Sequence, residues 1–148
     1  MPAAAYCGVQ TARALGNFHI TGVPISHYPD LIRALAMVKL AAARANHDVG
    51  NLDGKILAGI EAGCQALLEG KFHDQFPVDV IQGGAGTSVN MNANEVIANI
   101  ALEAMGHQRG EYKHCSPHDH VNGSQSTNDA YPTAMHLGIA LCNTRLMV

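Results

Sequence analysis

Apolar residues recur with a helical period in the first predicted helix. Pro29 and Asp30 suit a first helical turn, and Gly50 is a plausible stop. Between them, five apolar residues follow one another at i, i+4, i+7, i+11 and i+14, which is the spacing of one buried helix face. These residues are Leu31, Leu35, Val38, Ala42 and Ala45. We therefore predict a helix from about residue 29 to residue 50.

A second apolar helix is predicted from Asn51 or Asp53 to Gly70. Its buried face is expected to hold Ile56, Ile60, Cys64, Leu67 and Leu68. Gly59 and Gly63 lie inside this segment, where glycine costs roughly 1 kcal/mol relative to alanine. We therefore expect these two glycines to mark close contacts between helices.

Two further helices follow polar segments. The third is predicted from about Ser88 to Met105 and ended by Gly106; Asn92 with Glu95 resembles a capping box, which would move its start one turn later. The fourth begins after residues 126–129 and reaches the end of the chain without a cap signal. We expect this last helix to be truncated.

The remaining segments lack a helical period. Residues 1–28 predict an irregular arm with a short hairpin, residues 71–87 a loop that is extended at 75–80, and residues 107–124 a polar, histidine-rich connector. The sequence therefore predicts a mainly α fold.

Composition narrows the possible partners. The chain has 148 residues, the length of one domain, and a net charge of −3 without a basic block, which argues against nucleic acid. No apolar stretch is long enough to span a membrane. Four scattered cysteines without a CxxC pair predict reduced thiols in a cytoplasmic protein.

Two polar segments are candidates for anion binding. The first polar segment is residues 82–92 (Q-G-G-A-G-T-S-V-N-M-N), and the second is residues 123–129 (G-S-Q-S-T-N-D). Each comes just before a predicted helix, whose start has unpaired N–H groups and a positive dipole end. Thr87 and Ser88 supply hydroxyls, and Asn90, Asn92 and Asn94 supply amides. Two such segments indicate a ligand with more than one carboxylate or phosphate.

Simple helix capping explains either polar segment alone. Nucleotide binding is disfavoured because the glycine run lacks the lysine of a P-loop. A cluster of metal-ligating residue types lies within seven residues, but its loose spacing and polar setting favour exposed side chains over a metal site. The cluster consists of His114, Cys115, His118, Asp119 and His120.

The two polar segments, with the second extended to Thr133, closely resemble the aspartase/fumarase superfamily. Six more segments match in the family's order: 6–11 (Y-C-G-V-Q-T), 13–18 (R-A-L-G-N-F), 74–79 (D-Q-F-P-V-D), 94–99 (N-E-V-I-A-N), 105–108 (M-G-H-Q) and 119–122 (D-H-V-N). Within the superfamily the chain resembles the aspartate ammonia-lyases more than the class II fumarases. Ala85 stands where fumarases carry a serine, and Thr127 where they carry a second serine.

The resemblance implies a reaction and a fold. The reaction is the reversible elimination of ammonia from L-aspartate to give fumarate, through an aci-carboxylate intermediate. The fold is an N-terminal helical lyase domain at residues 1–128, followed at 129–148 by the start of a central helical bundle. The family positions that bind the substrate carboxylates correspond to Thr87, Ser126, Thr127 and Asn128, with Ser88 as a neighbour.

The resemblance also implies what lies outside this chain. The family's base is a serine in a motif G-S-S-x-M-P-x-K-x-N-P that does not occur here, so we expect no catalytic base among these residues. The chain corresponds to roughly the first third of a family member. Members are cytoplasmic homotetramers that need no organic cofactor and can be activated by divalent cations, although no metal site is indicated here.

The sequence departs from the family pattern at three residues and leaves three alternative functions open. Cys7, Gly16 and His118 differ from the residues usual in the family. The alternatives are a class II fumarate hydratase, a catalytically inactive fragment or remnant, and a His/Cys metal-binding module.

Overall fold

Five α-helices carry the described part of the chain. The structure is a computed structural model that describes residues 5–81 and 84–147. The helices are α1 (Val9–Asn17), α2 (Pro29–Asp48), α3 (Gly54–Leu68), α4 (Thr87–Ala104) and α5 (Thr127–Leu146). Single 3-10 turns lie at Ile25–His27 and His73–Gln75, and a short π-helix at Pro117–Val121. Strand pairing within the described ranges is limited to one isolated bridge, between Pro24 and Asp79. The mainly α prediction is confirmed.

Helix α4 forms the centre of the core. Every residue from Asn92 to Leu102 is buried, so this helix is covered on all sides. Helix α3 crosses it closely, because a Cβ atom at Gly63 would lie 2.9 Å from the carbonyl oxygen of Ile97. At Gly59 a Cβ atom would lie 3.2 Å from Ala101. The prediction that these glycines mark close helix contacts is confirmed.

The bounds of α2 and α3 agree with the sequence prediction, but the buried face of α2 does not. Leu35 is buried as expected, whereas Ala45 is exposed and Leu31, Val38 and Ala42 are only partly buried. The buried residues are Ile32, Ala34, Leu35, Ala36, Lys39, Ala43 and Asn46. Because α2 packs against both α3 and α5, its buried surface is wider and turned relative to the apolar stripe.

The prediction of an irregular arm for residues 1–28 is wrong at α1; residues 1–4 lie outside the described ranges. Helix α1 begins after Gly8, which has no side chain to cap it. The buried carboxylate of Glu95 takes that role by accepting hydrogen bonds from the N–H groups of Gly8, Gln10 and Thr11. The predicted hairpin is replaced by a turn at residues 20–22, whose N–H groups donate to Asp79.

Helix α4 starts at Thr87, one residue before the predicted Ser88. The capping box suggested for Asn92 and Glu95 is wrong, since both residues are buried inside the helix. Asn92 Nδ2 instead donates to the carbonyl of Gln75 at 3.0 Å.

Helix α5 begins at Thr127, inside the segment 126–129 after which the sequence predicted its start. Ser126 is its N-cap, with Oγ accepting from the N–H of Asn128, and the carboxylate of Asp129 accepts from the N–H of Ser126. The helix packs across α2, where a Cβ atom at Gly138 would lie 3.3 Å from Leu31 Cα. A domain boundary between residues 128 and 129 stays a prediction. None of the helices in the described ranges is both long and apolar enough to cross a membrane.

Candidate carboxylate-binding site

The structure brings the starts of α4 and α5 side by side. A Cβ atom at Gly86, the residue before α4, would lie 2.4 Å from the ring of Tyr131 in the first turns of α5. Further along α4, Asn90 Nδ2 lies 3.3 Å from Thr127 Oγ1, the first residue of α5. The two polar segments that the sequence singled out therefore meet in space.

The loop before α4 has left-handed backbone at three consecutive residues. The φ angles are +73° at Gly84, +52° at Ala85 and +88° at Gly86. Glycine adopts this conformation without strain, and at Gly86 the absent side chain also leaves room for Tyr131. Gln82 and Gly83 of the first polar segment lie outside the described residues.

Thr87 and Ser88 form the first turn of α4. Thr87 is exposed, and its hydroxyl donates to the carbonyl of Gly84 at 2.7 Å. Ser88 is half-buried. The first turn of α4 holds no acidic residue, so its positive dipole end is not neutralised from within the helix.

The start of α5 holds the other three predicted residues. Ser126 and Asn128 are exposed and Thr127 is half-buried. Asp129 places a carboxylate in the same turn, and it accepts from the N–H of Ser126. The helix end therefore offers hydroxyl and N–H donors together with one fixed negative charge.

The amides of Asn90 and Asn92 in the first polar segment, and of Asn94 just after it, point into the protein instead of lining an anion site. Asn90, Asn92 and Asn94 are buried, and their Oδ1 atoms have no hydrogen-bond partner within the described residues. The Nδ2 atoms of Asn90 and Asn94 both donate to Asn122 Oδ1, at 3.0 and 3.1 Å. The amides thus form a supporting layer beneath the helix starts.

Sequence reasoning missed Lys39, which lies in this layer. Its side chain is fully buried, and Nζ donates to Asn122 Oδ1 and Gln125 Oε1, both at 2.9 Å. Burial lowers the pKa of Lys39 to about 8, although the charge of Asp129 opposes the shift. A lysine within the buried stretch of α2 was the only local signal, and it did not reveal these partners.

The His/Cys cluster does not gather into a metal site. Burial raises the pKa of the Cys115 thiol to about 12, and His120 Nδ1 accepts from the N–H of Ser116. Hydrogen bonds lower the pKa of Asp119; the larger effect comes from exposed His118 and the smaller from Ser116. Among the described residues, no three His, Cys, Asp or Glu side chains lie close enough to hold a metal ion.

The whole chain matches a known protein family. The sequence model of the family described as Lyase matches residues 1–148. The chain belongs to this lyase family. The chain is thus a member of the aspartase/fumarase superfamily, as the resemblance of its two polar segments indicated.

Two curated relatives of this lyase-family chain are aspartate ammonia-lyases. The chain is 60% identical to an aspartate ammonia-lyase of Pseudomonas fluorescens over 147 residues, which are 99% of this chain and 31% of the relative. It is 55% identical to the aspartate ammonia-lyase of Escherichia coli over 140 residues, which are 94% of this chain and 29% of the relative. The chain therefore spans about a third of the length of these relatives.

Solved structures share the fold. A fumarate lyase:delta crystallin from Brucella melitensis superimposes with a TM-score of 0.94 at 55% identity, covering 95% of this chain and 32% of that one. A class II fumarase from Schistosoma mansoni gives a TM-score of 0.86 at 37% identity, covering 95% of this chain and 29% of that one. The helical architecture is thus that of the superfamily, and the individual substrate-binding residues stay a prediction.

Proposed function

We propose that this chain is part of an aspartate ammonia-lyase and that the adjoining starts of α4 and α5 bind the carboxylates of L-aspartate. The observation that supports this most is the meeting of two helix starts rich in hydroxyl donors, at Thr87 and at Ser126–Thr127. The positive end of α4, together with the hydroxyl donors at the start of α5, suits a ligand with two carboxylates. The 60% identity to an aspartate ammonia-lyase favours this substrate over malate.

The proposed reaction breaks one C–H and one C–N bond. A base takes a proton from the carbon next to the side-chain carboxylate, and the electron pair is delocalised into that carboxylate as an aci-carboxylate. Expulsion of the amino group as ammonia then forms the double bond of fumarate. Hydrogen-bond donors and helix dipoles directed at the doubly charged end stabilise the intermediate.

Each predicted residue has a distinct part in this proposal. Thr127 and Ser126 supply hydroxyl donors at the start of α5, and Asn128 supplies an exposed amide beside them. Thr87 contributes when its hydroxyl turns from the Gly84 carbonyl to the substrate. Ser88 is a neighbour in the same turn.

The rest of the proposed enzyme comes from elsewhere. We assign the base to a serine outside these residues and the quaternary state to a homotetramer, for which the exposed Leu137 and Ile139 of α5 offer apolar surface. The proposal needs no organic cofactor and routes no step through a metal ion. Activation by divalent cations is tested by adding Mg²⁺ or EDTA to the assay, and cytoplasmic location by cell fractionation.

The first test uses the protein as its own cell makes it. Its intact mass is measured, and L-aspartate and L-malate are then supplied separately while fumarate and ammonia are followed. Fumarate with equimolar ammonia from aspartate is expected. If fumarate forms from malate alone, the protein is a fumarate hydratase and the proposal is wrong. If neither substrate gives product, the catalytically inactive fragment is the supported alternative.

The site itself is tested by removing one hydroxyl. Thr127→Val should lower kcat/KM for L-aspartate about 100-fold, the size typical of losing one donor to a developing oxyanion. Thr144→Val is the matched control, because Thr144 is exposed on the same helix and its hydroxyl only donates to the Ala140 carbonyl. Equal activity of the two variants would overturn the assignment of Thr127.

A further inference from the structure

In its protonated form, Lys39 is an obligatory hydrogen-bond donor buried in the layer beneath the candidate site. Its exposed fraction is 0%, and within the described residues its Nζ forms no ion pair with a carboxylate. Burying an ammonium in this way is costly, and an apolar side chain of similar volume would avoid the cost. An ammonium carries three donor protons and no acceptor, so whatever it contacts must accept.

Lys39 fixes which way the amide of Asn122 faces. Asn122 Oδ1 accepts from Lys39 Nζ at 2.9 Å, and Asn122 Nδ2 donates to the carbonyl of Gln125 at 3.1 Å. Reversing this amide would place an NH₂ group against the ammonium and an oxygen against a carbonyl. Both ends of Asn122 therefore enforce the same orientation.

Asn122 in turn fixes Asn90. Because Asn122 Oδ1 can only accept, Asn90 must direct its Nδ2 towards it, at 3.0 Å. The second proton of the same Nδ2 points to Thr127 Oγ1 at 3.3 Å. The oxygen of Thr127 is therefore an acceptor, and its own hydroxyl proton is left to donate elsewhere.

We infer that Lys39 is a positioning residue that sets the direction of the hydrogen-bond chain Lys39–Asn122–Asn90–Thr127, so that the Thr127 hydroxyl is held as a donor to the substrate carboxylate. Without Lys39, the Gln125 carbonyl and Asn94 Nδ2 still favour this orientation of Asn122, but the penalty of an NH₂ group facing an ammonium is gone, so the amides of Asn122 and Asn90 turn over together in a larger fraction of molecules. Asn90 Oδ1 would then accept the Thr127 proton and leave only lone pairs facing the anion. The inference rests on the proposed function, which makes Thr127 a carboxylate ligand.

A double-variant cycle on the complete protein tests the direction of these hydrogen bonds. Lys39→Met and Thr127→Val are made singly and together, and kcat/KM for L-aspartate is measured. Lys39→Met alone should lower it at least 10-fold, and the double variant should be no worse than Thr127→Val within about 3-fold, because Lys39 acts through Thr127. Lys39→Arg, which keeps an obligatory donor, should recover part of the loss.

A second cycle covers the case in which Lys39→Met does not fold. Asn90→Leu should show the same non-additivity with Thr127→Val. Asn92→Leu is its matched control, because Asn92 is buried on the same helix but donates to the carbonyl of Gln75, which takes no part in the Lys39–Asn122–Asn90–Thr127 hydrogen bonds. The fold-losses in kcat/KM of Asn92→Leu and Thr127→Val should therefore multiply in the double variant. Multiplying losses for Asn90→Leu would overturn the inference.

The two proposals fail differently. A wild-type protein that does not convert aspartate overturns the proposed function and this inference with it. An active wild type in which the Lys39 or Asn90 cycle is additive overturns this inference alone.

Discussion

The carboxylate of Glu95 accepts a hydrogen bond from the hydroxyl of Thr11, 84 residues away in sequence, with Oγ1 2.7 Å from Oε2. The same Oε2 atom accepts the N–H groups of Gly8 and Thr11, while Oε1 accepts that of Gln10. Helix α1 therefore receives its cap from the centre of α4. Because the N–H and hydroxyl of Thr11 would otherwise be buried without partners, Glu95 stabilises the start of α1.

Glu95→Gln should destabilise the protein by about 1–3 kcal/mol, since one amide NH₂ would face N–H donors in place of an acceptor. The loss is measured by urea unfolding, and hydrogen exchange should quicken in α1 first. Glu61→Gln is the control, because Glu61 pairs at 2.7 Å with Arg44 at the surface and should cost less than about 1 kcal/mol. Equal losses would contradict the capping role.

The close crossing of α3 and α4 predicts a cost for adding one methyl group. Gly63→Ala should destabilise by about 1–3 kcal/mol, because the new Cβ would lie 2.9 Å from the Ile97 carbonyl in the core. Gly16→Ala is the control: nothing lies within 4 Å of its Cβ position in α1, so it should be neutral or stabilising by up to about 1 kcal/mol. Thermal unfolding of both variants checks the difference.

The contact between Gly86 and Tyr131 predicts a coupled loss of stability and activity. Gly86→Ala adds a Cβ 2.4 Å from the ring and places alanine at a φ of +88°, so it must separate the starts of α4 and α5. Gly106→Ala has a φ of +81° with nothing within 4 Å, so it carries only the backbone strain of about 1–2 kcal/mol. Denaturant unfolding should rank Gly86→Ala as the less stable, and only Gly86→Ala should also lower turnover of aspartate.

The sequence predicted what local pattern determines and missed what distant contacts determine. Helix α3 was predicted from its apolar spacing, and α5 was predicted to follow residues 126–129, although it begins at Thr127. Helix α1 was missed because its cap, Glu95, lies in another helix. Asn92 was misread for the same reason, since its partner is the carbonyl of Gln75.

The candidate site divides in the same way. The two polar segments and their tie to helix starts were visible in the sequence, and the family resemblance supplied individual residues such as Thr127. The supporting layer was not visible, because Lys39 and Asn122 are 83 residues apart and meet only when α2 and the loop before α5 pack together.

The hydrogen bonds to the Asp79 carboxylate predict that the free energy of unfolding depends on pH in the acid range. Desolvation raises the pKa of Asp79, but hydrogen bonds from the N–H of Ile81, from Thr21 and from the N–H of Gly22 outweigh it and hold the pKa well below its usual range. A carboxyl with a depressed folded-state pKa stabilises the protein above its unfolded pKa of about 4, and the contribution is lost as pH falls below that value.

Asp79→Asn should therefore be less stable than wild type at pH 7, with the difference shrinking from pH 4 to pH 3. Asp48→Asn, at the exposed end of α2, should stay within about 0.5 kcal/mol of wild type at pH 7. Urea unfolding at each pH measures both variants. A difference for Asp79→Asn that is the same at pH 7 and pH 3 would contradict the role of the ionised carboxylate.

Lys39 predicts a pH dependence in the alkaline range, where the free energy of unfolding again rises with pH. Its folded pKa is about 8, below the ordinary value of 10.5, chiefly because burial disfavours the ammonium. Between these two values the unfolded chain binds the proton and the folded chain has released it, so the free energy of unfolding rises with pH. The stability of wild type relative to Lys39→Met should therefore increase from pH 8 towards pH 10.5, by at most about 1.4 kcal/mol per pH unit. Urea unfolding at pH 7, 8, 9 and 9.5 measures it, and Lys55→Met, which removes an exposed lysine of α3, should give a flat difference over the same range. A flat difference for Lys39→Met as well would mean that the buried amine does not change its charge in this range.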